Sequence, residues 1–230
     1  MSITLSYYER KEKEATVTNY TDINCFFDSV KEKELSSNIV LDYHRVLTAF
    51  GKTFDEKLEN LIKLSQMGFK ITICSFVTNN IYFDTVDDLI KRIFSNDIKH
   101  QINLDGIVYQ CKKDYNYANM IKFKITNAFG ANYLIDDHIL NLNAGNGVVP
   151  ILFNCKFFPI TLPFHKYSKY LANSKKKYRE EIIKQRERFQ DINKSIIMIK
   201  TVDQLISFLR RDKIGHGRYK KDVIVVNTGS

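Results

Sequence analysis

Apolar residues along the chain fall into short runs that alternate with stretches of helical spacing. Ile39-Val40-Leu41 is a compact apolar run closed by Asp42, as expected of a buried parallel strand with a polar residue at its C-terminal end. Phe54, Leu58, Leu61, Ile62 and Leu64 then recur at helical spacing, so residues 54–67 predict a helix, with Gly68 placed to end it. Residues 70–76 predict a second strand, rich in β-branched side chains and ending in a hydroxyl, Ser75. A helix over 84–94, with Val86, Leu89, Ile90 and Phe94 as its face, leads to a third strand at 106–111, followed at once by Lys112 and Lys113. A helix over 117–129, closed by Gly130, precedes a fourth strand at 132–135 that ends in Asp136-Asp137, and 148–153 predicts a fifth.

Strands and helices alternating on this scale imply right-handed crossovers and a parallel sheet covered on both faces. The expected fold is α/β, doubly wound and Rossmann-like. Its organisation reads as an N-terminal extension over 1–36, with one short amphipathic helix on Ile23, Phe26, Phe27 and Val30, and a core over 37–154. A basic helical insertion over 155–194 follows, with a helix at 166–188. Residues 195–214 return to the core as a strand at 195–199 and a helix over 201–209, with Thr201 or Ser195 as its cap. Residues 215–230 form a polar tail, apolar only at 223–226.

Composition agrees with a chain that buries its own core, since 44% of residues are hydrophobic and 13% aromatic. The apolar runs fall far short of the roughly 20 residues of a membrane-spanning helix, so no membrane partner is expected. The N-terminus lacks the layout of a secretory signal, and Cys25, Cys74, Cys111 and Cys155 are too scattered for a metal knuckle or disulfide framework. A reducing compartment, cytoplasmic or nuclear, follows as the expectation.

Charge changes the picture more. The net charge of +9 is concentrated between Cys155 and Lys194, where eleven basic residues meet four acidic ones. Most basic runs are solvated helix faces. Here Lys175, Lys176, Lys177, Arg179, Lys184, Arg186 and Arg188 are interleaved with Tyr167, Tyr170, Tyr178 and Phe189, which makes them candidates for contacts to an RNA or DNA backbone.

In an open parallel sheet the functional residues gather at the carboxyl ends of the strands. That rule selects Asp42 and His44, Ser75, Lys112 or Lys113 with Lys112 nearer its strand, and Asp136 with Asp137. Three carboxylates brought together need neutralising, and Mg²⁺ suits hard oxygen donors and commonly shares its shell with a substrate phosphate. A zinc-type site built from Asp42, His44, Asp137 and His138 is the alternative, weakened because adjacent residues such as Asp137 and His138 diverge.

These residues resemble, in order, the four motifs of the haloacid dehalogenase-like superfamily. Asp42-Tyr43-His44-Arg45-Val46-Leu47 is similar to its first motif, Ser75 to the second, Lys112 or Lys113 to the third, and Asp136-Asp137-His138-Ile139-Leu140-Asn141 to the fourth. The resemblance covers about residues 38–154 and implies a nucleophile at Asp42 and a phosphate-binding hydroxyl at Ser75. It further implies a charge-balancing lysine, and Mg²⁺ held by Asp42, Asp136, Asp137 and the backbone carbonyl of His44. The departure is His44, where phosphatases of this superfamily carry an acid-base Asp. An imidazole among several carboxylates is expected to be shifted upward and protonated.

The spacing between the motifs leaves no room for a large cap domain, so the site is expected to be open and its substrate large. The sequence therefore predicts a Mg²⁺-dependent phosphatase acting on a phosphate monoester, with nucleic acid the favoured carrier. Its competitor is a catalytically degenerate domain of the same fold that binds RNA or a protein through the basic segment.

Overall fold

The computed structural model of the chain describes residues 3–11, 14–78, 80–96, 102–111, 115–142, 147–153, 163–192 and 196–214. The chain opens with a hairpin, β1 (Ile3–Lys11) and β2 (Glu14–Tyr20), and a helix α1 (Ile23–Glu32). Strand β3 (Ile39–Leu41), helix α2 (Phe54–Gln66), strand β4 (Ile71–Val77), helix α3 (Asn80–Asn96) and strand β5 (Leu104–Cys111) follow. Helix α4 (Tyr115–Ala128) leads to β6 (Tyr133–Asp136), a 3₁₀ turn (Ile139–Asn141) and β7 (Val149–Phe153). Helices α5 (Phe164–Asn173) and α6 (Lys176–Ile192) come next, and β8 (Ile197–Ile199) and α7 (Val202–Ile214) complete the described chain.

The eight strands form one sheet in the order β2-β1-β5-β4-β3-β6-β7-β8. The six from β5 to β8 pair in parallel. From β3 the chain first winds outward through β4 and β5, then returns to the other side of β3 for β6, β7 and β8, so the winding reverses between β3 and β6. A crevice at the carboxyl ends of those two strands is the expected consequence. Central strands buried on both faces explain the unbroken apolar run of Ile39, Val40 and Leu41, each fully buried. Alternation sends Ile39 and Leu41 to a core shared with α2, α3 and α7, and Val40 to one shared with α1 and α4.

Local signals set several boundaries. Thr53 and Glu56 form a reciprocal capping box at the start of α2, with Glu56 N–H donating to Thr53 Oγ1 at 3.2 Å. Gly68, at φ +81°, ends that helix as expected. The cap of α7 is Thr201, whose hydroxyl accepts from the Gln204 N–H at 3.3 Å.

Three expectations are corrected. The N-terminal extension is part of the sheet: β1 pairs antiparallel with both β2 and β5, so the sheet is mixed rather than wholly parallel. Ile3, Leu5 and Tyr7 alternate into the α1/α4 core while Tyr8 enters the other, a period-2 pattern that the charged run after it obscures. The basic segment is two helices broken at Ser174, whose backbone is extended, not one. Helix α3 also begins four residues before the expected start. The expected positions Ser195 and 215–230 lie outside the described residues. No helix among the described residues is long and apolar enough to cross a membrane.

Because Leu5 is fully buried at the junction of β1 and β5, Leu5→Ala should cost about 2–5 kcal/mol in urea unfolding. A loss below about 1 kcal/mol would mean that the hairpin is an appendage after all.

Candidate active site

Asp42 immediately follows β3, and Asp136 ends β6, its parallel neighbour. The Asp42 N–H donates to the Ile135 carbonyl at 2.9 Å, which sets the two acids side by side at the point where the winding reverses. Into the space between them α4 inserts Lys122. Its Nζ lies 2.7 Å from Asp42 Oδ1 and 2.6 Å from Asp136 Oδ2, with the lysine 1% and Asp136 0% exposed. Ile121, Ile125 and Phe129 anchor α4 to the sheet and carry Lys122 in with them. Thr126, one turn on, donates its hydroxyl to the Lys122 carbonyl at 2.8 Å.

Asp136 is held from every side. Its Oδ1 accepts from the His138 N–H at 2.8 Å, and both of its oxygens lie 2.9 Å from Asn141 Nδ2. The 3₁₀ turn thus folds back to clamp the acid that precedes it. Asp137 is half-buried and meets Arg45 Nη1 at 3.5 Å, although the Arg45 side chain is 81% exposed. Arg45 sits in the left-handed region at φ 57° within a turn closed by Leu47 N–H to Asp42 O, and its own N–H donates to Thr48 Oγ1 at 2.8 Å. Such a conformation costs about 1 kcal/mol or more for a non-glycine residue and persists where surrounding contacts impose it.

Burial drives the electrostatics. The Asp42 carboxyl is pushed up to about 7, first by desolvation and then by Asp136, with Lys122 opposing. Asp137 rises to about 6 through burial and Asp136, against Arg45 and His138. Burial works against the Lys122 charge, but Asp136 and Asp42 outweigh it and hold the ammonium well above the ordinary lysine range. His44 moves opposite to expectation: burial disfavours the charged ring and lowers it, and Lys122 and Arg45 push the same way.

One oxygen each from Asp42, Asp136 and Asp137 lies within 4.8 Å of the others. This fits a hard divalent cation: the donors are all carboxylates, and two of them are raised, chiefly by burial and then by the neighbouring Asp136, so added positive charge would favour their ionised forms. It does not fit the zinc alternative. His138 turns away to α6, where its Nε2 lies 3.1 Å from Glu181 Oε1 and 3.2 Å from Gln185 Nε2, and the acidic cluster contains neither histidine.

Ser75 is not brought to Asp42. It shares the strand face of Ile73 and Val77, in the α2/α3/α7 core, and its fully buried hydroxyl has no hydrogen-bond partner among the described residues. The residue of β4 that faces the site is Cys74, whose thiol burial pushes up to about 12. Lys112 and Lys113 lie outside the described residues, and the lysine in the site is Lys122. Its signal was in the sequence: a lysine at three positions before Ile125 and seven before Phe129 stands in the buried stripe of its helix, where only a paired charge is tolerated.

Of the basic residues proposed for nucleic acid, three arginines are engaged within the protein. Arg179 donates to the Ser174 and Ala172 carbonyls at 3.1 and 3.0 Å, Arg186 lies 4.8 Å over the Tyr167 ring, and Arg188 donates to the Leu142 carbonyl at 3.2 Å. Lys175, Lys176 and Lys184 are exposed, and the side chain of Lys177 lies outside the description.

Removing the ammonium leaves two buried acids without their cation, so Lys122→Met should destabilise by about 3–5 kcal/mol, read by urea unfolding. A pH effect follows from the raised acids. Between the unfolded value near 4 and about 7 the folded Asp42 binds more protons than the unfolded chain, so its contribution to stability falls as pH rises through that window. In chelator, the thermal midpoint of wild type relative to Asp42→Asn should therefore fall from about pH 5 to about pH 8. Added Mg²⁺ or Mn²⁺ should raise the wild-type midpoint more at the higher pH, and an equal shift in Asp137→Asn would show that the cation binds elsewhere. No family model, curated protein or solved structure matches the chain, so the functional reading rests on these side chains and distances.

Proposed function

We propose that the protein is a phosphoryl hydrolase of haloacid dehalogenase-like type, acting on phosphate monoesters with Asp42 as nucleophile. The observation that carries this reading is the Lys122 ammonium held between Asp42 and Asp136, with Asp137 alongside, at the carboxyl ends of two adjacent parallel strands. Lys122 takes the charge-balancing role that the resemblance assigns to a lysine. Asn141 and the His138 N–H fix the acid of the fourth motif.

Asp42 offers Lys122 its Oδ1 and makes no other side-chain hydrogen bond among the described residues, which leaves Oδ2 to attack phosphorus. Attack forms an Asp42 O–P bond as the ester P–O bond breaks and the leaving oxygen departs with the bonding pair. Water then cleaves the acyl phosphate and restores the carboxylate. Lys122 serves both stages: its charge favours the ionised nucleophile and offsets the negative charge that a phosphoryl group brings. Asp42, Asp136 and Asp137 would hold the divalent cation, which when bound supplies further positive charge to the phosphoryl oxygens.

His44 sets the limit. A half-buried imidazole with a lowered pKa is mostly neutral near pH 7, able to accept a proton from the hydrolytic water but poor at giving one to the leaving oxygen. Esters whose leaving groups need no protonation should therefore turn over best. With Mg²⁺, an aryl phosphate should be hydrolysed well ahead of an alkyl phosphate, and Asp42→Asn should lose about 10³-fold or more in kcat. Restoring the acid with His44→Asp should narrow the aryl-to-alkyl gap. Wild type as inert as Asp42→Asn towards every ester would overturn the enzyme reading in favour of a binding domain.

A further inference from the structure

Between Asp137 and Glu180 the sequence contains no Asp or Glu. The described part of that stretch includes the 3₁₀ turn, β7, α5 and the start of α6, so α5 carries lysines and no acidic residue of its own. Its exposed apolar groups are clustered as well. Of six large apolar side chains that stand exposed among the described residues, four belong to α5 and α6, and Phe164 at 77% and Tyr178 at 51% lead them. Lys166, Lys169 and Tyr170 follow one another at spacings of three and one and share a face of α5, while buried Tyr167, under Arg186, turns another stripe inward. Lys175 and Lys176 continue the exposed charge around the turn.

Helix α6 is also tied to the candidate site. Glu181 and Gln185 of α6 reach His138, and Arg188 reaches the Leu142 carbonyl, so α6 grips both ends of the short turn that follows Asp136 and Asp137. A ligand lying along α5 is thereby held in fixed relation to the acids.

We propose that this strip binds single-stranded nucleic acid and presents the strand's terminal phosphate to Asp42. The proposal rests on the phosphoryl-hydrolase reading for its second half. Rings interleaved with lysines distinguish the ligand. An acidic peptide would be matched by charge alone, whereas an unpaired strand offers both phosphates for the lysines and flat bases for Tyr170 and Tyr178. In a duplex the base faces are already stacked on one another and cannot cover the rings. Stacking and backbone contacts use groups common to RNA and DNA, so either strand should bind.

The test measures binding of fluorescent single-stranded oligonucleotides of about 12 nucleotides, within the usual span of such sites, to the full chain by anisotropy across a salt series. Combined Lys166→Ala, Lys169→Ala and Lys175→Ala should flatten the salt dependence by about 2 in the log–log slope, at about 0.7 per lost phosphate contact. Tyr170→Ala with Tyr178→Ala should weaken binding about tenfold or more at an unchanged slope. Both variants should retain aryl-phosphate hydrolysis while losing phosphate release from an end-phosphorylated strand. Absence of wild-type binding, unchanged binding by the triple variant, equal affinity for a duplex, or equal displacement by polyglutamate would each overturn the strip. Strand binding with no phosphate release from strand or aryl ester would overturn the delivery step together with the Asp42 reading. Aryl hydrolysis without strand binding would overturn the strip and leave Asp42 standing.

Discussion

A single ammonium group, buried and shared between two carboxylates, is the constraint around which the centre of this molecule is arranged. Lys122 could not be carried into the sheet without acids to meet it, and Asp42 and Asp136 could not lie side by side without a cation between them. The requirement reaches three elements at once. It fixes the rotation of α4 about its axis, the register of β3 against β6, and the fold-back of the turn that brings Asn141 onto Asp136. Lys122 at Asp42 and Arg45 at Asp137 oppose the effect of burial without overcoming it, so both acids stay raised and the cluster is a receptor for additional positive charge.

The two cores flanking the sheet explain why this arrangement is rigid enough to matter. Each central strand is gripped on both faces, and Ile121, Ile125 and Phe129 bind α4 down on either side of Lys122. The charged group thus sits in a frame that apolar packing holds in place. The loop bearing Arg45 and the turn bearing His138 both lie at the carboxyl ends of β3 and β6.

Much of this was legible in the residue order. Parallel strands advertise themselves as apolar runs, so Ile39-Val40-Leu41 and the segment ending at Asp136 located the acids correctly. Ser75 was misplaced because period-2 alternation assigns faces only once the register is known, and the hydroxyl fell one residue from the side that faces Asp42. Lys122 lies in a helix interior and not at a strand end, so the strand-end rule does not select it, although its place in an apolar stripe marks it as a buried, paired charge. The β1–β2 hairpin was hidden by its charge: the alternation of Ile3, Leu5 and Tyr7 is short and passes directly into a run of Glu and Lys. The break at Ser174 leaves little trace, since an extended serine between two amphipathic helices carries no glycine or proline to mark it.

The pairing of Ile3 with Cys111 has a consequence for how the chain reaches its final state. In chain order β1 and β2 precede β3 and β4, so the strand that the hairpin must join through β1 is made only after those two parallel strands and the helices that follow them. Until then its inner edge, with the backbone donors and acceptors of β1 unpaired, is a waiting template. Closing so long a loop is slow compared with forming local helices, and it leaves a nascent chain open to pairing with its neighbours. The charged residues that end β1, Glu9 to Lys11, lie where they can hold other strands off during that delay.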